Sequence, residues 1–315
     1  MPYPYGAVTL LSNGLDFIDS ALENFSRTPD PRAMKYGVLH LCSGIKLVMK
    51  EHLRKEGWTL VFARPEKADE RAYRKGEFNS ATFDQCVDRL VASCGVTVED
   101  WDREDLLSFR RMRNRIEHFA VMDSPEAIIS SSTFAVSFVV DLIAEEFESD
   151  DLDADSHRLL DDIRRRLSEF QDFVRHRTHD VQARLSGETP PVVTCPDCRQ
   201  PFSVVEVGAK CAFCGYRRPP EEAFDDYEIG VAGRSSPDAG NPWPRTRCPE
   251  CYSETLALTR ERGSGWGHGR YVCFTCGRAW SDMQLEHCAT CDELMETGGM
   301  TVCSACFDEV LRKDD

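Results

Sequence analysis

Positive charge is in short supply in this chain. Its 315 residues carry 38 Lys and Arg against 54 Asp and Glu, a formal net charge of −16. That excess opposes a general electrostatic grip on nucleic acid or anionic lipid, so any such contact has to come from a local basic patch. The deficit holds at both ends: 25 basic against 34 acidic side chains in residues 1–190, and 13 against 20 in residues 191–315. Met1–Ser20 has neither a basic start nor an apolar core segment, so no export signal is expected. The most apolar stretch, Ala127–Ala144, contains Ser130–Ser132 and Asp141. It reads as a buried helix, and no membrane partner is expected. There is no phosphate-cradling glycine loop, no serine nucleophile elbow and no paired-carboxylate metal motif.

Cysteine is the opposite case. Twelve of the fifteen fall in six Cys-x-x-Cys pairs, all after residue 194: Cys195/Cys198, Cys211/Cys214, Cys248/Cys251, Cys273/Cys276, Cys288/Cys291 and Cys303/Cys306. Two intervening residues let one tight turn aim both sulfurs at the same ion, and its backbone N–H groups can bond to the thiolates. Gly215 and Gly277, just after two of the pairs, suit the positive φ such a turn needs. The count is stoichiometric for three structural Zn2+ sites of four thiolates each, with no position left for a catalytic metal. The last eight cysteines can bind in sequence or interleave. Each intervening loop is long enough to close a hairpin by itself, which favours sequential ribbons. Zinc-spaced thiols imply a reducing cytoplasm. Phe213, Tyr216, Tyr252, Trp266, Tyr271, Phe274 and Trp280 are either the small cores of these ribbons or platforms for base stacking.

Residues 1–187 read as an all-α helical bundle with almost no strand pattern. Helices are expected over about Leu11–Ser26, from Asp30-Pro31 to about Lys55, over Ala81–Cys94, over Asp100–Phe119, from Ser124-Pro125-Glu126 to about Phe147, and from Asp155 to Leu185. Trp58–Phe62 reads as a connector and Glu66–Gly76 as a surface loop or a loose helical turn. Zinc ribbon 1 is expected over 188–218, an acidic, Pro-rich linker over 219–245, and zinc ribbons 2 and 3 over 246–315.

One helix carries candidate chemistry. Phe109-Arg-Arg-Met-Arg-Asn-Arg-Ile-Glu-His-Phe119 places four arginines and a histidine on two turns. A histidine supplies a proton-transfer group near neutral pH, and an arginine supplies a fixed cation for a phosphate. Arg113-x4-His118, with Asn114 after the arginine, resembles the R-x4-6-H motif of the HEPN superfamily. The long helix from Asp30-Pro31 to about Lys55, with Tyr36, Leu39 and Ile45-Lys-Leu-Val-Met-Lys50, is also similar to that family's second helix. The likeness covers about residues 10–150.

The resemblance implies a metal-independent endoribonuclease that works as a homodimer or higher oligomer in bacterial toxin–antitoxin or anti-phage defence. Its products would carry a 2′,3′-cyclic phosphate or 3′-phosphate. Arg113, His118 and Asn114 would be catalytic, Arg110, Arg111 and Arg115 would bind RNA, and the ribbons would meet a protein trigger or antitoxin. The family's antitoxin-paired members carry a tyrosine two residues after the histidine, where this chain has Ala120. A plainer reading pairs Arg113 with Glu117 four residues on and leaves His118 a bystander. The chain is then a dimeric adaptor that docks a protein or nucleic acid through its ribbons. Arg111/His118 and Arg262/His268 match the same pattern. His176 and His179, with Asp172 and Asp180, either chelate a metal or are solvated. Arg164–Arg166 is read as an exposed face, and Cys42, Cys86 and Cys94 as core residues.

Overall fold

A computed structural model describes residues 9–26, 30–120, 123–148, 151–185, 191–201, 203–234, 245–259, 269–298 and 301–311. The chain divides into two compact units, Met1–Arg177 and Thr178–Asp315. The first is helical and the second is built from short antiparallel strands around cysteine quartets.

The helical unit begins with an antiparallel pair, α1 (Leu10–Ser26) and α2 (Pro31–Glu56). Asp30 starts α2 because its carboxylate accepts from the N–H groups of Arg32 and Ala33, and Pro31 presets the first helical φ. Gly14 and Gly44 let the two helices close on each other: a Cβ on Gly44 would lie 2.7 Å from the Gly14 carbonyl oxygen. Leu15, Ile18, Val38, Leu41, Ile45 and Val48 fill that seam. Each such side chain stabilises the fold by roughly 1.5–3 kcal/mol when fully buried.

A 3-10 turn over Trp58–Val61 follows, then a second over Pro65–Lys67 and the short helix α3 (Glu70–Lys75). Arg89 holds this connector by donating to the carbonyls of Leu60, Phe62 and Ala63. α4 (Phe83–Cys94) opens on a reciprocal cap, Thr82 to Gln85, and ends at Gly95 with φ 73°. α5 (Asp100–His118) buries Leu106, Phe109, Met112 and Ile116 against the same core. α6 (Pro125–Glu146) is long and apolar enough to cross a membrane, but 61% of its most apolar window is buried in the protein. α7 (Ala154–Leu185) adds Leu160, Ile163 and Leu167 to the core. The helices expected from the sequence are therefore present, and Glu66–Gly76 is partly helical.

The second unit contains a four-stranded antiparallel sheet, β1 (Val192–Val193), β2 (Ser203–Val205), β3 (Ala209–Cys211) and β4 (Arg217–Arg218). A three-stranded sheet follows: β5 (Leu256–Thr259), β6 (Arg270–Cys273) and β7 (Ala279–Ser281). A hairpin of β8 (Leu285–His287) and β9 (Leu294–Glu296) completes the strands.

Two helices interrupt the expected pattern. The first half of the stretch read as a linker forms α8 (Pro220–Gly230). It is not a bare connector: Ala223, Phe224 and Tyr227 are buried, and Phe224 and Tyr227 pack on Phe274 of the second cysteine module. The stretch 235–244 lies outside the described residues. The last module ends in α9 (Ser304–Leu311), so it is a hairpin plus a helix and not a ribbon throughout.

Candidate functional site

Three quartets of cysteine sulfurs converge: Cys195, Cys198, Cys211 and Cys214; Cys248, Cys251, Cys273 and Cys276; and Cys288, Cys291, Cys303 and Cys306. The ligation is sequential, and no quartet interleaves with another. Every sulfur in a quartet lies within 4.8 Å of the others. A tetrahedral zinc with Zn–S bonds of about 2.3 Å requires S···S edges of about 3.8 Å. Cys195–Cys214, Cys198–Cys211, Cys251–Cys273 and Cys291–Cys303 are each separated by 3.7 Å, and Cys248–Cys276 by 3.8 Å. Those distances fit the ion and are far too long for disulfides. The three groups are each arranged to bind a structural zinc ion.

The same turn recurs in five of the six Cys-x-x-Cys pairs. The carbonyl of the first cysteine accepts from the fourth residue on: Arg199, Gly215, Tyr252, Gly277 and Asp292, at 2.9–3.0 Å. The first cysteine's own N–H donates to the fifth residue on: Gln200, Tyr216, Ser253, Arg278 and Glu293. All five fourth residues have positive φ, between 60° and 81°. Arg199, Tyr252 and Asp292 are the only non-glycine residues in that region among the described residues. The turn overrides the ordinary penalty on a side chain there. The sixth pair differs: Cys303 precedes α9, Cys306 lies inside it, and the Cys303 N–H donates to the Cys288 sulfur at 3.2 Å.

Hydrogen bonds favour the thiolate at two of these sulfurs, whereas neighbouring thiols and burial push others, such as Cys248 and Cys306, up. Backbone N–H groups of Cys303, Cys291 and Thr290 hold the Cys288 thiol down at about 6. Cys273 is held down to about 3, first by Cys248, against burial, and then by Ser253 and the N–H groups of Cys276 and Thr275. A thiolate is the form that ligates zinc.

The aromatic residues of this unit are mostly structural. Phe213, Tyr216, Phe274 and Trp280 are buried and Tyr271 is half-buried. Trp280 donates its indole N–H to Glu296 at 2.7 Å. Tyr252, at φ 60°, is 68% exposed. Trp266, Arg262 and His268 lie outside the described residues.

Arg113, Asn114 and His118 lie on the last two turns of α5, whose apolar side packs into the helical core. Arg113 donates to the Asn114 amide oxygen at 3.1 Å and forms an ion pair with Glu117. His118 is exposed, with Nε2 3.7 Å from the same Glu117 carboxylate. One carboxylate therefore stands between the guanidinium and the imidazole. Phe119, the next residue, is 89% exposed.

The neighbouring arginines are also engaged. Arg110 Nε lies 2.8 Å from Asp84 on α4, and Arg115 pairs with the buried Asp123. Arg111 is half-buried on the same helix. Burial pushes the Cys42 thiol of α2 up, against the pull of the Arg113, Lys46 and Arg110 charges close to it.

The other candidates resolve as structure. Asp172 pairs with Arg175, and His179 lies 3.8 Å from Asp180 on an exposed surface. Among the described residues, the histidines at 176 and 179 belong to no metal-holding group. Arg164, Arg165 and Arg166 pair with Asp161, Asp162 and Asp19 respectively. Cys42, Cys86 and Cys94 pack in or against the helical core. No protein-family model, curated protein or solved structure matches the chain.

Proposed function

We propose that the chain is a metal-independent endoribonuclease of the HEPN type, acting as a dimer, with zinc modules that recognise or regulate. What supports this most is the grouping of Arg113, Asn114 and an exposed His118 at one helix end, with a hydrogen bond already tying Arg113 to Asn114. RNA supplies its own nucleophile. His118 takes the proton from a 2′-OH as that oxygen attacks the adjacent phosphorus, and the 5′-oxygen leaves with a proton. Arg113 holds the charge that builds on the phosphorane oxygens, and Asn114 orients the guanidinium. The products are a 2′,3′-cyclic phosphate and a 5′-OH.

Five residues along a helix separate two side chains by about 7.5 Å in rise and roughly 140° in angle. One α5 is therefore a spread site, and two of them facing across a dimer supply both a proton acceptor and a proton donor. Such an enzyme must be held in check, by a protein antitoxin or a trigger that meets the zinc modules. It belongs in a reducing compartment such as the bacterial cytoplasm.

The test is cleavage of end-labelled RNA by the zinc-loaded chain with free divalent metal briefly chelated. The native protein should cut, and His118→Ala and Arg113→Ala should not. A second reading, a dimeric adaptor without catalysis, draws support from the Arg113–Glu117 ion pair, which satisfies the guanidinium within one helix. It requires native and variant proteins to be equally inert toward RNA.

A further inference from the structure

Five arginines of the acid-rich second unit have carboxylate partners. Arg218, Arg234, Arg245, Arg247 and Arg278 each lie within 4.0 Å of an Asp or Glu oxygen. Among the described residues, Lys210, Arg217 and Arg270 have no such partner, and of these Lys210 and Arg217 stand side by side. Both are exposed, neither has a carboxylate partner, and they stand directly opposite each other across the β3–β4 pair. Like charges at directly opposed positions disfavour the sheet. Two such charges are left unpaired in a region with 20 acidic side chains over residues 191–315.

The surface is rigid and shaped. Glu206, Val207, Lys210, Ala212, Arg217 and Arg218 line a depression of about 430 Å³. The Gly208 N–H donates to the Phe274 carbonyl at 2.8 Å and pins the β2–β3 turn to the second cysteine module. Gly208 has φ 85°, and a Cβ there would lie 2.2 Å from the Arg218 carbonyl oxygen, so only glycine lets β4 approach. Val207, on the rim, is 77% exposed. Arg218 stacks on Tyr216 at 5.5 Å and pairs with Glu222 and Asp226, so it stiffens the strand and is not part of the free charge.

We propose that Lys210 and Arg217 form a phosphate-gripping surface for the backbone of single-stranded nucleic acid, with Val207 packing on a sugar or base. A docked protein would need an apolar centre with charge moved to the rim, and here the charge is the centre. A polyanionic strand needs what is present: a pair of unneutralised cations on a fixed platform, with the surrounding acid limiting contact to that patch. The surface is separate from the arginine–histidine helix and does not rest on the ribonuclease reading.

The test is binding of a labelled 2′-O-methyl RNA 20-mer, which cannot be cut, to the whole zinc-loaded chain over a salt series. Removing both charges with K210Q and R217Q should weaken binding. It should also flatten the slope of log K against log salt by about 1.4, at roughly 0.7 per lost phosphate contact. The charge-keeping swap K210R with R217K should retain the native slope, and all proteins should hold three zinc ions per chain. An unchanged slope in the neutral variant overturns the proposal. So does equal, Lys210- and Arg217-dependent binding of poly-glutamate, which would make the partner an acidic protein. Saturation of the site by millimolar inorganic phosphate, with oligonucleotide binding unmoved by the substitutions, would make it a small-anion site and overturn it too.

Discussion

Glu117 is the residue whose replacement discriminates most between the readings of α5. Its carboxylate pairs with Arg113 and lies 3.7 Å from His118 Nε2. In the proposed enzyme it occupies the seat of the scissile phosphate, so Glu117→Gln should open that seat. The pair is an i,i+4 contact between side chains 31% and 36% exposed, worth about 0.3–0.5 kcal/mol to folding. Thermal stability should therefore move by only about 1–2 °C. The effect on an incoming phosphate is larger. A carboxylate about 5 Å from a phosphate charge repels it by about 0.8 kcal/mol in bulk water and about 3 kcal/mol at the effective dielectric near a protein surface. With the lost ion pair, at least about 1 kcal/mol is released, a gain of about fivefold or more in affinity. Fluorescence anisotropy with a 2′-O-methyl oligonucleotide reads this directly at low ionic strength. Unchanged or weaker binding by Glu117→Gln would refute the reasoning. Tighter binding with complete loss of cutting would instead make Glu117 the proton acceptor.

Three further outcomes follow from the structure. Displacing the thiolate ligands with a mercurial and following released zinc with a chromophoric chelator should count three ions per chain; a count of two or fewer contradicts the quartets. Gly208→Ala places a side chain at φ 85° and a Cβ 2.2 Å from a carbonyl, so it should cost the second unit at least about 2 kcal/mol, seen as zinc loss at lower denaturant than for the native chain. His52 is buried on α2 near Glu146, at 3.7 Å, and burial lowers its pKa despite the pull of Glu146 and Glu56. The unfolded chain then takes up a proton near the ordinary histidine value while the folded chain does not. Stability is fully present above that value and falls with pH between it and the lowered one. His52→Phe should remove that acid limb in pH-dependent denaturation.

The helical unit was legible because its boundaries are written in local chemistry. Asp30-Pro31 and Ser124-Pro125 read as starts, and Gly95 as a stop, from residue type alone. The zinc quartets were equally legible, since Cys-x-x-Cys spacing constrains the turn. The positive φ of Gly215 and Gly277 was readable for the same reason. That of Arg199, Tyr252 and Asp292 was not, because the turn imposes it on side chains that resist it. α8 was hidden behind prolines at 219 and 220 and five acidic residues, which mimic a linker. Its real signals were Pro220 at the first helical position, Glu221 and Glu222 in the first turn, and Phe224 and Tyr227 three apart. α9 was masked by the Cys303/Cys306 pair at its start, which reads as another knuckle. In α5 the Arg113–Glu117 pair was visible from the four-residue spacing. The Arg110–Asp84 and Arg115–Asp123 pairs were not, since the first reaches another helix and the second a residue beyond the end of α5.

The most direct measurement of the central claim is the chemistry of the ends left on RNA. With zinc-loaded protein and no free divalent metal, the account predicts fragments with 2′,3′-cyclic phosphate and 5′-OH termini, and no such fragments with His118→Ala. Fragments ending in 5′-phosphate, or equal cutting by the variant, would contradict it.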